Sequence, residues 1–514
     1  MNLHWADLTI FVAFFALVVG VSLYKSRRER SGEDFFLAGR SLVWPLIGFS
    51  LIAANISTEH FVGMSGQGAG IAGLAVASYE WMAAITLVVV ALFFLPKFLK
   101  AGIYTIPEYL EYRYSPAARG LMAVYLVVMY VAVSIAAVVY TGALALHTIF
   151  GLDLVKAVWL IGAIAAVYTV WGGLKAVAWA DLFQGSALIL GGIVTLVLGL
   201  KAVGGWSAFV AASGEKLHVI MPAGHPVIPW TTLVVGLWIP NFYYWGLNKF
   251  ITQRTLAAKS LRQGQTGIVF AAFLKLLIPF IIIMPGIISW QLYRAQLTAP
   301  GATTDQAYPL LIKNLVGPGL RGFILAAIAG AVISTLGSLL NSVATILTMD
   351  IYKRHLRKDA TSASLIKIGR WATLVFVVAV CLIAPQLGNP KFKGIFNYIQ
   401  EFQGFISPGI LAAFVFGLFV KKTPRAAGLT ALLANVPIYG LLMWKFSSVA
   451  FLNRIGITFV AVLAILAVLT LVRPLREPVR LPVQAGFDLT PAPAMKYLGP
   501  LVVALTLALY VIFR

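Results

Sequence analysis

Apolar residues run along this chain in blocks of about 20, the length that crosses a bilayer as a helix. The blocks fall at 6–24, 44–70, 74–97, 117–148, 155–173, 178–202, 231–250, 263–290, 318–347, 371–386, 394–420, 426–445, 452–472 and 497–513. The pattern predicts an all-α polytopic membrane protein with about 14 transmembrane helices. Polar residues lie mostly between blocks, and two blocks break that rule. In 50–70, SLIAANISTEHFVGMSGQGAG, the residues Asn55, Ser57, Thr58, Glu59 and His60 separate an apolar entry from an apolar, glycine-rich exit. In 237–248, LWIPNFYYWGLN, Pro240 and Asn241 interrupt the run, and proline removes a backbone hydrogen bond. Polar groups at membrane depth are tolerated only when buried in protein or lining a wet cavity. Both blocks therefore read as interrupted helices, whose freed carbonyls are available to bind a cation.

The second to eleventh blocks divide into two groups of five, 44–202 and 231–420, each opening with an interrupted block. Five is odd, so groups in tandem are inserted with opposite topology, and paired interruptions at corresponding positions point to a midplane site in an inverted-repeat transporter. The halves share no evident sequence similarity, and the repeat rests on position alone. The expected organisation is a leading helix and cytoplasmic loop (1–43), a first inverted repeat (44–202), an exterior loop (203–230), a second inverted repeat (231–420) and three trailing helices (421–514). The first block is not a cleaved signal, because Lys25, Arg27, Arg28 and Arg30 follow it. They predict a retained helix with its N-terminus outside. Most basic residues fall in alternate loops, including Lys353, Arg354, Arg357 and Lys358 in one and Lys421, Lys422 and Arg425 in another. That bias makes those loops cytoplasmic and puts both termini outside a plasma (inner) membrane.

Composition excludes a set of soluble domains: of 514 residues 60% are hydrophobic and 11% charged, with mean hydropathy +0.91. A net charge of +22 is compatible with nucleic-acid binding, but the basic residues are scattered in short clusters between apolar runs. They set membrane orientation, and no nucleic-acid partner is expected. The single cysteine, Cys381, rules out an intramolecular disulfide framework.

Intramembrane polar residues are candidates for a site by default. Glu80, in ASYEWM, is either a binding acid or an interfacial carboxylate at the exterior end of its helix. Lys275, in FAAFLKLLIPF, is apolar on both sides, so it either snorkels or has a buried partner. Asn241, Tyr243, Tyr244 and Trp245 offer amide, hydroxyl and ring faces together, and Gln400 and Glu401 add a polar pair. Carboxylate, ammonium and amide groups beside an aromatic face suit a monosaccharide, with directional bonds for its hydroxyls and a ring for its apolar side. In 327–342, AIAGAVISTLGSLLNS, the hydroxyls of Ser334, Thr335, Ser338 and Ser342 either pack small against a neighbour or join the freed carbonyls of 53–56 in an oxygen cage for sodium.

The stretches ANISTEHFVGMSG, ASYEWM, NFYYWG, QRTLAAKS, FAAFLK and NSVATILTMDIYKR together resemble the sodium/solute symporter family, most closely its sodium/glucose–galactose branch. The likeness runs from the first helix to about residue 430. It implies a LeuT-like five-plus-five inverted repeat with one leading and three trailing helices, and sodium-coupled symport of glucose or galactose by alternating access. Carried over residue by residue, it places the sugar among His60, Glu80, Asn241, Lys275 and Gln400, with Tyr244 stacking on the cytoplasmic side. It has Met64, Tyr79 and Phe396 closing the exterior side. It builds the sodium site from the carbonyls of Ala53, Ile56 and Ala331 and the hydroxyls of Ser334 and Thr335. A serine expected shortly after Glu80 is replaced by Ala83. Two-sodium members add a second site from an aspartate like Asp181 and further hydroxyls. Here Asp181 and Ser338 match while Gly337 intervenes, so one sodium per sugar is expected.

Other signals are demoted. SGQGAG has no GK[ST] and no preceding strand, so it packs helices and cradles no phosphate. His218 and His225 lack a cysteine or acidic cluster for zinc, and Asp153, Glu215 and Asp305 are expected to be solvated loop charges. A symporter for another small polar solute is the nearest alternative. A glycosyl- or acyltransferase using Glu80 or His60 as base lacks a nucleophile–base pair and an aqueous catalytic segment, so no enzyme is expected. A channel would need a continuous polar path.

Overall fold

The computed structural model describes residues 4–26, 40–103, 105–171, 174–389, 394–479, 481–484 and 486–514. The basic run Arg27, Arg28 and Arg30 falls outside them. Among the described residues the chain is helical, and its only strand-like pairings are the isolated bridges Leu42↔Ala258 and Met221↔Pro229. Nine described helices are long and apolar enough to cross a membrane, ten if the bent pair Ile395–Gln403 and Ser407–Phe419 is one span. The other blocks hold the shorter apolar helices Trp5–Val18, Trp44–Asn55 and Leu154–Ala166, and the broken stretch 231–256. Breakage accounts for two of these four, whereas the Trp5–Val18 and Leu154–Ala166 pieces belong to continuous helices, Trp5–Ser26 and Leu154–Trp171. The two interrupted blocks are divided into pieces, each too short to qualify alone.

The first break follows Trp44–Asn55. Ile56 is extended at φ −78 and ψ 91, and the chain re-enters through a wide π-helical turn, Glu59–Met64, and a short helix, Ser65–Ala69. Such turns recur at functional positions because the unpaired backbone they create has to be used or satisfied. The second break is not where the sequence suggested. Pro240 lies in the first turn of Trp238–Phe242, where a missing N–H costs no helical bond. The helix continues through a π-helical turn, Tyr243–Leu247, and opens at Asn248, extended at φ −81 and ψ 118, before Lys249–Leu256. Asn248 caps that last helix by accepting from Phe250 N at 3.1 Å, and Tyr130 donates its hydroxyl to the same Asn248 Oδ1 at 2.5 Å.

Helix Leu261–Leu297 is the central post, packed against Trp44–Asn55, Ser65–Ala69 and Ser78–Val89. Its glycines permit the approach. A Cβ on Gly286 would stand 2.1 Å from Ser65 O, and one on Gly267 would stand 2.8 Å from the Ile47 side chain. Pro285 in the same helix cannot donate to Ile281 O, and the Tyr308 hydroxyl reaches that carbonyl at 3.4 Å instead. The bend of 44° between Ile395–Gln403 and Ser407–Phe419 is held by Asn435 of helix Ala426–Lys445. Its amide donates to the carbonyls of Gly404 and Phe405, and its oxygen accepts from Gly409 N at 3.0 Å.

Candidate functional site

The two interrupted helices face a shared cavity, and a cavity between helices is a common place for a small-molecule site. Glu59, His60 and Met64 line it from the first break, and Tyr79 and Glu80 from the start of Ser78–Val89. Asn241, Tyr244 and Trp245 line it from the second break, and Phe396, Gln400 and Gln403 from Ile395–Gln403. Lys275 stands behind this lining with its side chain fully buried. Its ammonium donates to Glu80 Oε2 and to Asn55 Oδ1 and sits 4.9 Å from the centre of the Trp245 ring. Snorkelling and an interfacial Glu80 are both replaced by a buried ion pair. His60 Nε2 lies 3.5 Å from Glu80 Oε1, and Asn55 Nδ2 donates to the Tyr244 hydroxyl at 3.2 Å. Asn55 thus joins the two breaks to the pair. A buried pair of this kind is tolerated only because further polar groups satisfy it, and its carboxylate and amides remain in reach of a solute in the cavity. Tyr79 and Phe396, also on the lining, meet edge to face at 4.9 Å, and Met64 on the same lining is buried.

A second polar cluster lies where Trp44–Asn55, Leu174–Ala202 and Leu320–Thr345 converge. Asp181 Oδ1 accepts from Ser334 at 2.6 Å, and its Oδ2 accepts from Ser50 at 2.5 Å and from Arg254 at 3.1 Å. Arg254 also donates to Ser50 at 2.7 Å and to Ser338 at 3.3 Å. Thr335 Oγ1 is buried without a hydrogen-bond partner among the described residues. Ala53, Ile56 and Ala331 are buried, and a Cβ on Gly185 would stand 3.0 Å from that of Ala53. Ala53 lies in the last turn of its helix and Ile56 just beyond it, where carbonyls lack intrahelical partners. An orphaned hydroxyl and end-of-helix carbonyls are donors that fit a small hard cation such as sodium.

The sequence pointed to Glu80, Lys275, His60, Asn241, Tyr244, Gln400, Met64, Tyr79 and Phe396. The structure gathers them around one cavity, with Lys275 behind the lining. Asn55, Glu59 and Gln403 join them although no role was assigned to them, as do Ser50 and Arg254 at Asp181, and Trp245 joins them as the aromatic face the sequence offered. Asn55 and Glu59 were visible as polar residues in the first interrupted block. Arg254 was visible only as part of QRTLAAKS, with nothing to indicate its partner. Ala83 is buried and offers no polar contact. One expectation is overturned: Asp305 is not solvated but 2% exposed. It sits under Gly66, accepts from Ile395 N at 3.1 Å, and has no partner for Oδ1 among the described residues. Asp153, Glu215 and His218 are exposed.

A family model described as the sodium:solute symporter family matches residues 35–434. The sodium/glucose cotransporter of Vibrio parahaemolyticus is 42% identical over 493 residues, covering 91% of this chain and 90% of that protein. Sodium/glucose cotransporter 1 of Ovis aries is 33% identical over 455 residues, covering 81% of this chain and 68% of that one. Among solved structures, a Na+-coupled sialic acid symporter in a substrate-bound outward-open state matches with TM-score 0.81 at 21% identity, covering 93% of this chain and 100% of that chain. At that identity the likeness is one of fold.

Proposed function

The chain belongs to the sodium:solute symporter family, and from that premise we propose that its solute is a monosaccharide, glucose or galactose, carried into the cell with sodium by alternating access. Membership makes it a sodium-coupled membrane transporter with sodium as co-substrate, and not an enzyme. The observation that carries the sugar reading is the Lys275–Glu80–His60 cluster facing aromatic walls in a cavity between two broken helices. In this reading His60, Glu80, Asn241, Lys275 and Gln400 bond the sugar hydroxyls and Tyr244 covers the cytoplasmic side. Met64, Tyr79 and Phe396 close the exterior side. Sodium is held by the carbonyls of Ala53, Ile56 and Ala331 with the hydroxyls of Ser334 and Thr335.

Coupling follows from the shared break. Ile56 faces the ion while its neighbour Asn55 bonds Lys275 and Tyr244 on the sugar side, so sodium that orders 53–56 also orders the sugar contacts. A coupling free energy between two such sites is reciprocal. The same reading takes the fold as 14 spans in a five-plus-five inverted repeat, with both termini outside a plasma membrane. Labelled-sugar uptake into proteoliposomes, with and without an inward sodium gradient, tests it. Sodium-driven accumulation of glucose or galactose is expected, and uptake that sodium does not drive would sink it. Ala83, apolar where a hydroxyl was expected, favours one second reading, sodium symport of another small polar solute. Sodium-driven uptake of that solute but not of a hexose would establish it.

A further inference from the structure

Three charged groups meet the cavity or stand directly behind it, and they do not cancel. Glu80 is matched by Lys275, and Arg254 is matched by Asp181 in the neighbouring cluster. Glu59, the first residue of the π-helical turn, lines the cavity half-buried on the Tyr244 side. Among the described residues its carboxyl has no ion-pair or hydrogen-bond partner. The arrangement of ligands proposed above does not use it. A carboxyl in a confined, weakly polar space needs either a proton or a cationic neighbour, and the described residues supply no cation there. It therefore keeps a proton unless the contents of the cavity supply the cation.

We propose that Glu59 is a specificity-determining residue that sets the charge class of the solute, excluding sugars that carry a carboxylate and favouring neutral and amino sugars. The inference rests on the monosaccharide reading above and deepens it. A uronic acid in the cavity would bring an anion with no free cation to pair it, since Lys275 is already bonded to Glu80 and Asn55, so it either forces Glu59 to keep its proton or faces it as a like charge. Like charges so placed weaken binding by well over about tenfold. An ammonium substituent would complete an ion pair that the protein leaves open.

The test is a charge ladder of glucuronate, glucose and glucosamine, read as thermal stabilisation of the purified full-length protein in sodium at pH 7. Wild type is expected to bind glucosamine at least about tenfold more tightly than glucuronate. Glu59→Gln, which keeps the volume and removes the charge, should bring the two within about threefold of each other. Glu59→Asp should keep the wild-type order, which separates charge from packing. Equal affinities for the two charged sugars in wild type, or an unchanged ratio in Glu59→Gln, would overturn the inference. Glucose uptake measured on the same preparation reports on the transport reading separately, so an intact ladder without sodium-driven uptake strikes that reading and not this one.

Discussion

At the scale of single residues the site is governed by what each buried charge faces. Lys275 and Glu80 are matched, so removing either leaves the other unpaired in a dry setting. Lys275→Met should cost about 3–5 kcal/mol of stability, and adding Glu80→Gln should recover part of it. Glu80→Gln alone should weaken sugar binding by about 1.5–3 kcal/mol, the value of a charge-assisted hydrogen bond. Thermal unfolding and sugar titration read the two effects separately, and wild-type sugar affinity in both single variants would remove the pair from the site. Asp305 shows the opposite case, a carboxyl with no cation beside it among the described residues. It lies outside the membrane spans, and burial pushes it up to about 7, opposed by its bond from Ile395 N. The folded protein thus holds a proton that the unfolded chain releases near the ordinary value of about 3.9. Stability from this group is fully present below about pH 4, declines as pH rises, and is lost above about 7. Asp305→Asn should flatten the fall in melting temperature between pH 5 and 7, and an identical slope in both proteins would show that this carboxyl does not titrate there.

At the scale of elements, function depends on helices that stop in the middle of the protein and on neighbours that hold them stopped. The first break was legible because five polar residues within six positions, Asn55, Ser57, Thr58, Glu59 and His60, cannot face lipid. The second was legible as an interruption and misplaced in detail. Proline breaks a helix only where its N–H is needed, and Pro240 sits in a first turn where it is not. The opening at Asn248 depends on Tyr130, 118 positions away in the chain, which no local pattern announces. Close packing on the central helix is equally long-range. Gly286→Ala would drive a methyl into the Ser65 carbonyl, with only 2.1 Å available, and overpacking of this kind costs about 1–3 kcal/mol. A lowered melting temperature with reduced uptake is expected, since Ser65 belongs to the same broken segment as His60. Gly20→Ala, which meets nothing within 4 Å, is the control. Equal melting temperatures in the two variants would show that the helices move apart without cost.

At the scale of the whole molecule the question is how much work one transport cycle can do. Gly337 lacks the hydroxyl expected of a second ion site, and Arg254 already faces Asp181 and Ser338, so one sodium per sugar is expected. One charge moving down about 100 mV contributes ~2.3 kcal/mol, and a tenfold sodium gradient adds ~1.4 kcal/mol. Their sum of ~3.7 kcal/mol supports accumulation of several hundredfold. The membrane potential at which sugar flux reverses, at fixed gradients, counts the charges directly. A value corresponding to two charges per sugar would refute this stoichiometry. Hydrophobic blocks of bilayer length, and polar residues stranded inside them, determine from the sequence alone that this is a helical membrane protein with a polar site at two broken helices. Both properties follow from the cost of exposing polar groups to lipid, which acts on each segment by itself. Pairing is decided only in three dimensions. Lys275 finds Glu80 195 positions away, Arg254 finds Asp181 73 positions away, and Glu59 finds no partner among the described residues. Whether a buried charge is neutralised depends on which side chains converge on it, and hydropathy along the chain carries no record of that.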